Sequence, residues 1–173
     1  MPMSRTLALS LATGTLALAL ATPATRAQQA GDQPGDAGRG KIVFRSVGGC
    51  VNCHGWPADG KTGVDLRAPT GSNLRETGLD REGLVEVIRC GRPGTAMPYH
   101  ARAAYRDGGC HGLSISDFAP GSEPARGKTF GEKDVANVVA YLQASVIGRG
   151  DPTHEECVEF FDNPAAKACD TLK

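Results

Sequence analysis

The spacing of apolar residues along the chain predicts three core helices. A glycine pair at residues 48–49 ends the first helix, while Asp80 caps the second and Gly91 ends it. The third helix begins with a predicted capping box, Thr129-x-x-Glu132. The predicted apolar faces of the three helices are, in order, Gly40, Val43, Phe44 and Val47; Leu84, Val87 and Ile88; and Val135, Val138, Val139, Leu142 and Val146.

Long stretches between and after these helices are rich in Gly, Pro, Asn and Asp. Residues 55–78 show no sustained period, which predicts an ordered loop that wraps a bound group. A second capping box, Thr153-x-x-Glu156, and the pair Asn163-Pro164 predict two short terminal helices. Because no alternating run is long enough for a sheet, we expect an all-α fold: three core helices, long loops and a short helical C-terminal extension.

The N-terminus has the pattern of a signal peptide. Arg5 gives it a positive start, an apolar run follows over residues 7–21, and residues 25–27 form a small-residue cleavage site. The run is shorter than the ~20 apolar residues that a membrane-spanning helix needs. We therefore expect a signal peptide at 1–27, a flexible leader at 28–35, a core domain at 36–147 and a C-terminal extension at 148–173.

Composition and charge narrow the class of partner. Cleavage after residue 27 removes two arginines and no acidic residue, which leaves 17 basic against 19 acidic residues. A slightly negative net charge argues against nucleic acid as the partner. The signal-peptide pattern predicts export to the periplasm. Because no other segment is apolar enough to cross a bilayer, we expect that the protein is not membrane-spanning after signal cleavage.

The sequence Cys50-x-x-Cys53-His54 is the covalent haem attachment pattern. A structural zinc site needs four ligands, and the chain has no second Cys-x-x-Cys. A thioredoxin-like dithiol normally lies in a βαβ setting, and no such strands are predicted. In an exported, loop-rich chain with only 5% aromatic residues, we expect one haem c, held by two thioethers, with His54 on the iron and the macrocycle filling the core.

The sixth iron ligand is predicted to be Met97. It is the only methionine left after signal removal, and it lies in a loop between the second and third helices. Met/His ligation suits electron transfer. His100, three residues further on, is the rival ligand, whereas His111 and His154 are predicted to be surface histidines.

These motifs resemble the class I cytochrome c family over residues 36–147. The matching positions are Gly40-x-x-x-Phe44, Cys50-x-x-Cys53-His54, Met97-Pro98 and Tyr141-Leu142. The resemblance implies that Gly40 and Phe44 pack against the helix that carries Tyr141, and that loops clasp the haem. A weaker resemblance, in the segment around Met97 and in the extra cysteines, is to cytochromes that serve periplasmic quinoprotein alcohol dehydrogenases.

One departure from the family concerns the carbonyl that orients His54. The family often has Gly-Pro-x-Leu, with the proline carbonyl as acceptor, where this chain has Gly71-Ser72-Asn73-Leu74. The Ser72 carbonyl can still accept from His54 Nδ1.

Four further cysteines form an even set in an exported chain, which predicts two disulfides. Three pairings are possible. We favour Cys90–Cys110, which would brace the Met97 segment, and Cys157–Cys169, which would join the terminal helices.

The sequence thus predicts an electron carrier rather than an enzyme, with a dehydrogenase as donor and an oxidase or another carrier as acceptor. Two alternatives stay open. One is a permanent haem subunit of a dehydrogenase complex, in which the Cys157–Cys169 tail is a docking element. The other is a haem enzyme or gas sensor with an open iron.

Overall fold

The computed structural model describes residues 34–172. The predicted signal peptide and most of the predicted leader lie outside this range. In chain order the elements are α1 (Ala37–Ile42), a π-helix (Val43–Val47), α2 (Val51–His54), α3 (Arg81–Cys90), β1 (Tyr99–Ala101), a 3-10 helix (Ile115–Asp117), β2 (Arg126–Phe130), α4 (Glu132–Ser145), α5 (His154–Phe161) and a second 3-10 helix (Lys167–Cys169).

The first predicted helix is present, but its last turn is a π-helix. Asp36 caps α1 by accepting a hydrogen bond from the Arg39 amide at 2.9 Å. In the following turn the Gly48 amide donates to the Val43 carbonyl at 2.7 Å, the wide spacing of a π-helix. The wider turn rotates Val47 away from the core, and its 47% exposure corrects the prediction that it lies on the apolar face.

α1 and α4 cross with their backbones almost in contact. A Cβ added at Gly40 would lie 2.0 Å from the Asn137 carbonyl oxygen. One turn further on, the rings of Phe44 and Tyr141 lie 5.6 Å apart. The packing of Gly40 and Phe44 against the Tyr141 helix is therefore confirmed.

The expected all-α class is wrong, because β1 and β2 form a small parallel sheet. Tyr99 pairs with Arg126 and Ala101 with Phe130, with an irregularity between the two pairs. A strand as short as β1 gives no detectable alternation in sequence, and its partner arrives only after a long connection. The fold is mixed, with five α-helices and one two-stranded sheet in the described residues.

The sheet also corrects the predicted start of the third helix. Thr129 lies in β2 and does not cap α4. The helix begins after Gly131, whose amide donates to the Asp134 carboxylate at 2.9 Å.

Asp80 and Gly91 bound α3 as predicted, and the predicted apolar face of α4 is buried. On α3, Leu84 and Ile88 are buried as predicted, whereas Val87 is only partly buried.

The C-terminal extension packs on the core domain. The predicted Thr153-x-x-Glu156 capping box starts α5, but the second terminal helix is only a 3-10 turn at Lys167–Cys169. Both predicted disulfides, Cys90–Cys110 and Cys157–Cys169, are present. Within the part of the chain that the structure describes, no helix has the length and apolar character needed to span a membrane.

We expect Gly40→Ala to destabilise the protein by at least about 2 kcal/mol, because overpacking a contact between backbones forces the two helices apart. Chemical denaturation of the purified protein measures the change. Gly78→Ala is the matched control, since nothing lies within 4 Å of the added Cβ. Equal stability of the two variants would contradict the close approach of α1 and α4.

Candidate functional site

An apolar cavity opens in the middle of the core. Its volume is about 350 Å³, and part of it opens to solvent. Protein interiors are normally close-packed, so a space of this size within a core indicates a place for a bound group. Its apolar wall consists of Phe44, Leu74, Leu79, Leu84, Val87, Ile88, Phe130, Val138 and Leu142.

Cys50 and Cys53 line this cavity, and both are free thiols. The π-helix and the glycine pair after it deliver them there, and the Cys50 amide donates to the Phe44 carbonyl at 3.1 Å. Burial raises the pKa of the Cys50 thiol to about 12. Burial also raises the pKa of Cys53, and the nearby Asp65 carboxylate adds to this rise. Both sulfurs are therefore neutral thiols at neutral pH.

The surroundings of the cysteine pair do not fit the two competing interpretations, a redox dithiol and a structural zinc site. A dithiol oxidoreductase needs a thiol whose pKa is lowered, because the thiolate is the nucleophile. A structural zinc site needs four ligands, usually thiolates and imidazoles. Within residues 34–172, no group of three or more His, Cys, Asp and Glu side chains is arranged to hold a metal ion.

His54 follows the cysteines and is fixed by a backbone carbonyl. Its Nδ1 lies 2.9 Å from the Ser72 carbonyl oxygen. A carbonyl can only accept, so Nδ1 carries the proton and the Nε2 lone pair is left free. Burial lowers the pKa of this imidazole, although the hydrogen bond to Ser72 opposes the shift. His54 therefore lines the cavity as a neutral imidazole, the form that coordinates a metal.

The Met97 loop closes another part of the cavity wall. The Arg92 amide donates to the Met97 carbonyl at 3.2 Å, and the Met97 amide donates to Thr95 Oγ1 at 3.2 Å. Gly91 has a φ of +65°, and a Cβ there would lie 2.6 Å from the Met97 carbonyl oxygen. The chain therefore folds back tightly after α3. Met97, which is partly buried, consequently lies in the cavity lining.

The other three histidines differ in position. His100 is buried and lines the same cavity. His111 is partly exposed, 3.3 Å from a Glu86 carboxylate oxygen, and His154 is exposed at the start of α5.

Among the described residues, Arg92 is the one charged side chain in the cavity lining. Sequence reasoning missed Arg92, because its loop position carries no signal that it faces a cavity.

These residues fit a covalently bound haem. Two neutral thiols, one anchored neutral imidazole and one thioether border a single apolar space. Arg92 adds a positive charge that suits the carboxylates of a haem. Comparison with protein-family models and with curated proteins finds no match to this chain. The interpretation of the site therefore rests on the sequence motif and on this geometry.

We expect Gly71→Ala to disturb His54, since the new Cβ would lie 2.7 Å from His54 Nδ1 and 2.9 Å from the Cys53 carbonyl oxygen. The imidazole must turn, which weakens its hydrogen bond to Ser72. The yield of haem-loaded protein and its absorption spectrum measure the effect, with Gly78→Ala as control. A normal spectrum at normal yield for Gly71→Ala would show that His54 does not need this support.

Proposed function

We propose that this protein is a periplasmic monohaem c-type cytochrome that transfers single electrons. The observation that carries the proposal is the position of Cys50, Cys53 and His54 on the wall of an apolar cavity that Met97 also borders. The hydrogen bond from His54 Nδ1 to the Ser72 carbonyl leaves Nε2 free to ligate a metal, as its proposed role requires. The proposed location follows from the signal-peptide pattern at 1–27, together with the two disulfides.

In this proposal, Cys50 and Cys53 hold haem c through thioethers, and His54 and Met97 are its axial iron ligands. When bound, the haem would supply one-electron chemistry at its iron, and a thioether together with a histidine as its ligands would favour a high potential. The chain's residues orient His54 through Ser72 and surround the site with apolar side chains, which exclude water. The role is an electron carrier, with a dehydrogenase as donor and an oxidase or another carrier as acceptor. By the weaker resemblance, the donor would be a quinoprotein alcohol dehydrogenase.

The position of the C-terminal extension favours a free carrier over a permanent subunit. In the subunit alternative, the Cys157–Cys169 tail is a docking element. Both cysteines are fully buried and Phe160 is only 4% exposed, so the tail's apolar side chains pack on the chain's own core. Gel filtration separates the two functions, because a free carrier elutes alone while a subunit elutes with its dehydrogenase.

We expect haem to stay on the mature chain after denaturation and acid–acetone extraction, because thioether bonds are covalent. Cys50→Ala and Cys53→Ala should each give little stable holoprotein. The double variant Cys157→Ala/Cys169→Ala is the control, since it removes two cysteines that lie outside the cavity lining. Complete extraction of haem from the unaltered protein would refute the proposal.

We expect the ferric protein to show the weak red absorption of a thioether–iron bond. Met97→Ala should abolish this band and lower the reduction potential, because the thioether is the ligand that favours the reduced iron. Absorption spectroscopy and potentiometric titration measure both effects. His111→Ala is the control and should keep the band. Persistence of the band in Met97→Ala would show that Met97 is not the ligand.

A further inference from the structure

His100 is held in the cavity wall by contacts on several sides. Its Nδ1 lies 2.7 Å from the Lys128 carbonyl oxygen of β2. Its ring stacks on Phe130 with a centroid distance of 4.2 Å and an interplanar angle of 6°. Gly127 packs on the ring so closely that a Cβ there would lie 2.6 Å from His100 Cε1. The small sheet that sequence analysis missed therefore fixes this imidazole.

The protonation of His100 leaves one nitrogen available to a ligand. Because the Lys128 carbonyl can only accept, Nδ1 carries the proton and Nε2 keeps its lone pair. Within the described residues, the hydrogen bond of His100 runs from Nδ1. Nε2 is not a fully buried atom without a partner, since Arg89 Nε is the one such side-chain atom there, so Nε2 keeps some accessible surface. Burial lowers the pKa of His100, so the ring is neutral. A neutral imidazole whose second nitrogen carries a free lone pair, on a residue that borders the cavity, can ligate a bound metal.

His54 shows the same arrangement on the same cavity. Each imidazole donates through Nδ1 to a backbone carbonyl, Ser72 for His54 and Lys128 for His100. Each is buried and borders the cavity. A histidine that ligates a metal usually donates its other ring nitrogen to a carbonyl in this way, which fixes its tautomer and orientation. His100 therefore has the same tautomer as His54 and the same kind of backbone support.

We propose that His100 is a reserve axial ligand, whose Nε2 binds the iron when the Met97 thioether is lost or displaced. This inference rests on the proposed haem site. The step is a ligand substitution: an iron–sulfur bond is broken or absent, an iron–nitrogen bond forms from the Nε2 lone pair, and no electron or proton is transferred. Its consequence is an iron that stays six-coordinate and closed to small exogenous ligands.

The two donors lie in different structural settings. Met97 lies at the end of a loop that is closed by hydrogen bonds from Arg92 and to Thr95, whereas His100 lies in β1. Oxidation of a thioether to its sulfoxide makes the side chain polar and changes it as a ligand. A nearby imidazole would preserve a low-spin iron after such damage.

The test uses ferric holoprotein of Met97→Ala. We expect electron paramagnetic resonance to show a low-spin iron with two imidazole ligands, and reduced protein to bind carbon monoxide slowly. Met97→Ala/His100→Phe keeps a ring to stack on Phe130 but has no ligating nitrogen. It should lose the low-spin signal and bind carbon monoxide rapidly. Met97→Ala/His154→Ala, which removes an exposed histidine, should behave like Met97→Ala.

A high-spin, open iron in Met97→Ala would overturn the inference. Should the double variant with His100→Phe fail to fold, the number of coordinated imidazoles in Met97→Ala decides: two supports the inference and one overturns it. Acid–acetone extraction of the same samples tests the haem attachment separately. Covalent haem with a single imidazole ligand would refute the role of His100 alone, whereas extractable haem would refute the proposed function together with it.

Discussion

The close contact between the backbones of α1 and α4 sets the positions of the two free cysteines and of part of the apolar cavity wall. At Gly40 the two helices approach until any larger residue would overlap the Asn137 carbonyl. This approach brings the tilted rings of Phe44 and Tyr141 to a centroid distance of 5.6 Å and places Phe44 and Leu142 in the same cavity wall. The chain leaves α1 through the π-helix, so the position of Cys50 is set by the same contact. A shift of α1 would therefore move Cys50, Cys53 and the apolar wall together.

The long loop after His54 shows how a segment without helix or strand can fix the orientation of a side chain, here the proposed iron ligand His54. The Gly60 amide donates to the His54 carbonyl at 2.8 Å, and the Gly71 amide donates to the Cys53 carbonyl at 2.8 Å. Asp59 accepts from the Thr62 amide at 2.7 Å and from its hydroxyl at 2.6 Å. Backbone groups that regular structure would pair are satisfied here by specific loop contacts. The Ser72 carbonyl consequently lies where His54 can donate to it.

The features that depend on a local sequence pattern, such as helix ends and short motifs, could be predicted from the sequence. Asp80 and Gly91 mark the ends of α3, and the spacing of Cys50, Cys53 and His54 identifies the candidate site without a structure. The features that depend on pairing between distant segments of the chain could not be predicted. Thr129 belongs to a strand because β1 lies beside it, which no residue near Thr129 encodes. For the same reason the stacking of His100 on Phe130 depends on a pairing that joins distant parts of the chain.

A buried arginine in the loop after His54 ties that loop to the C-terminal extension. Arg75 is 4% exposed and donates to the carbonyls of Pro57 and Gly150. It also pairs with Glu156 of α5 at 2.9 Å. Breaking a buried ion pair by removing one partner is costly, so this contact ties the extension firmly to the loop that carries the Ser72 carbonyl. The Trp56 ring lies against Phe160 at 5.8 Å and adds an apolar contact between the same two regions. A partner protein that pulled on the extension would therefore disturb the loop that orients His54, which is why a free docking arm is a poor description of this segment.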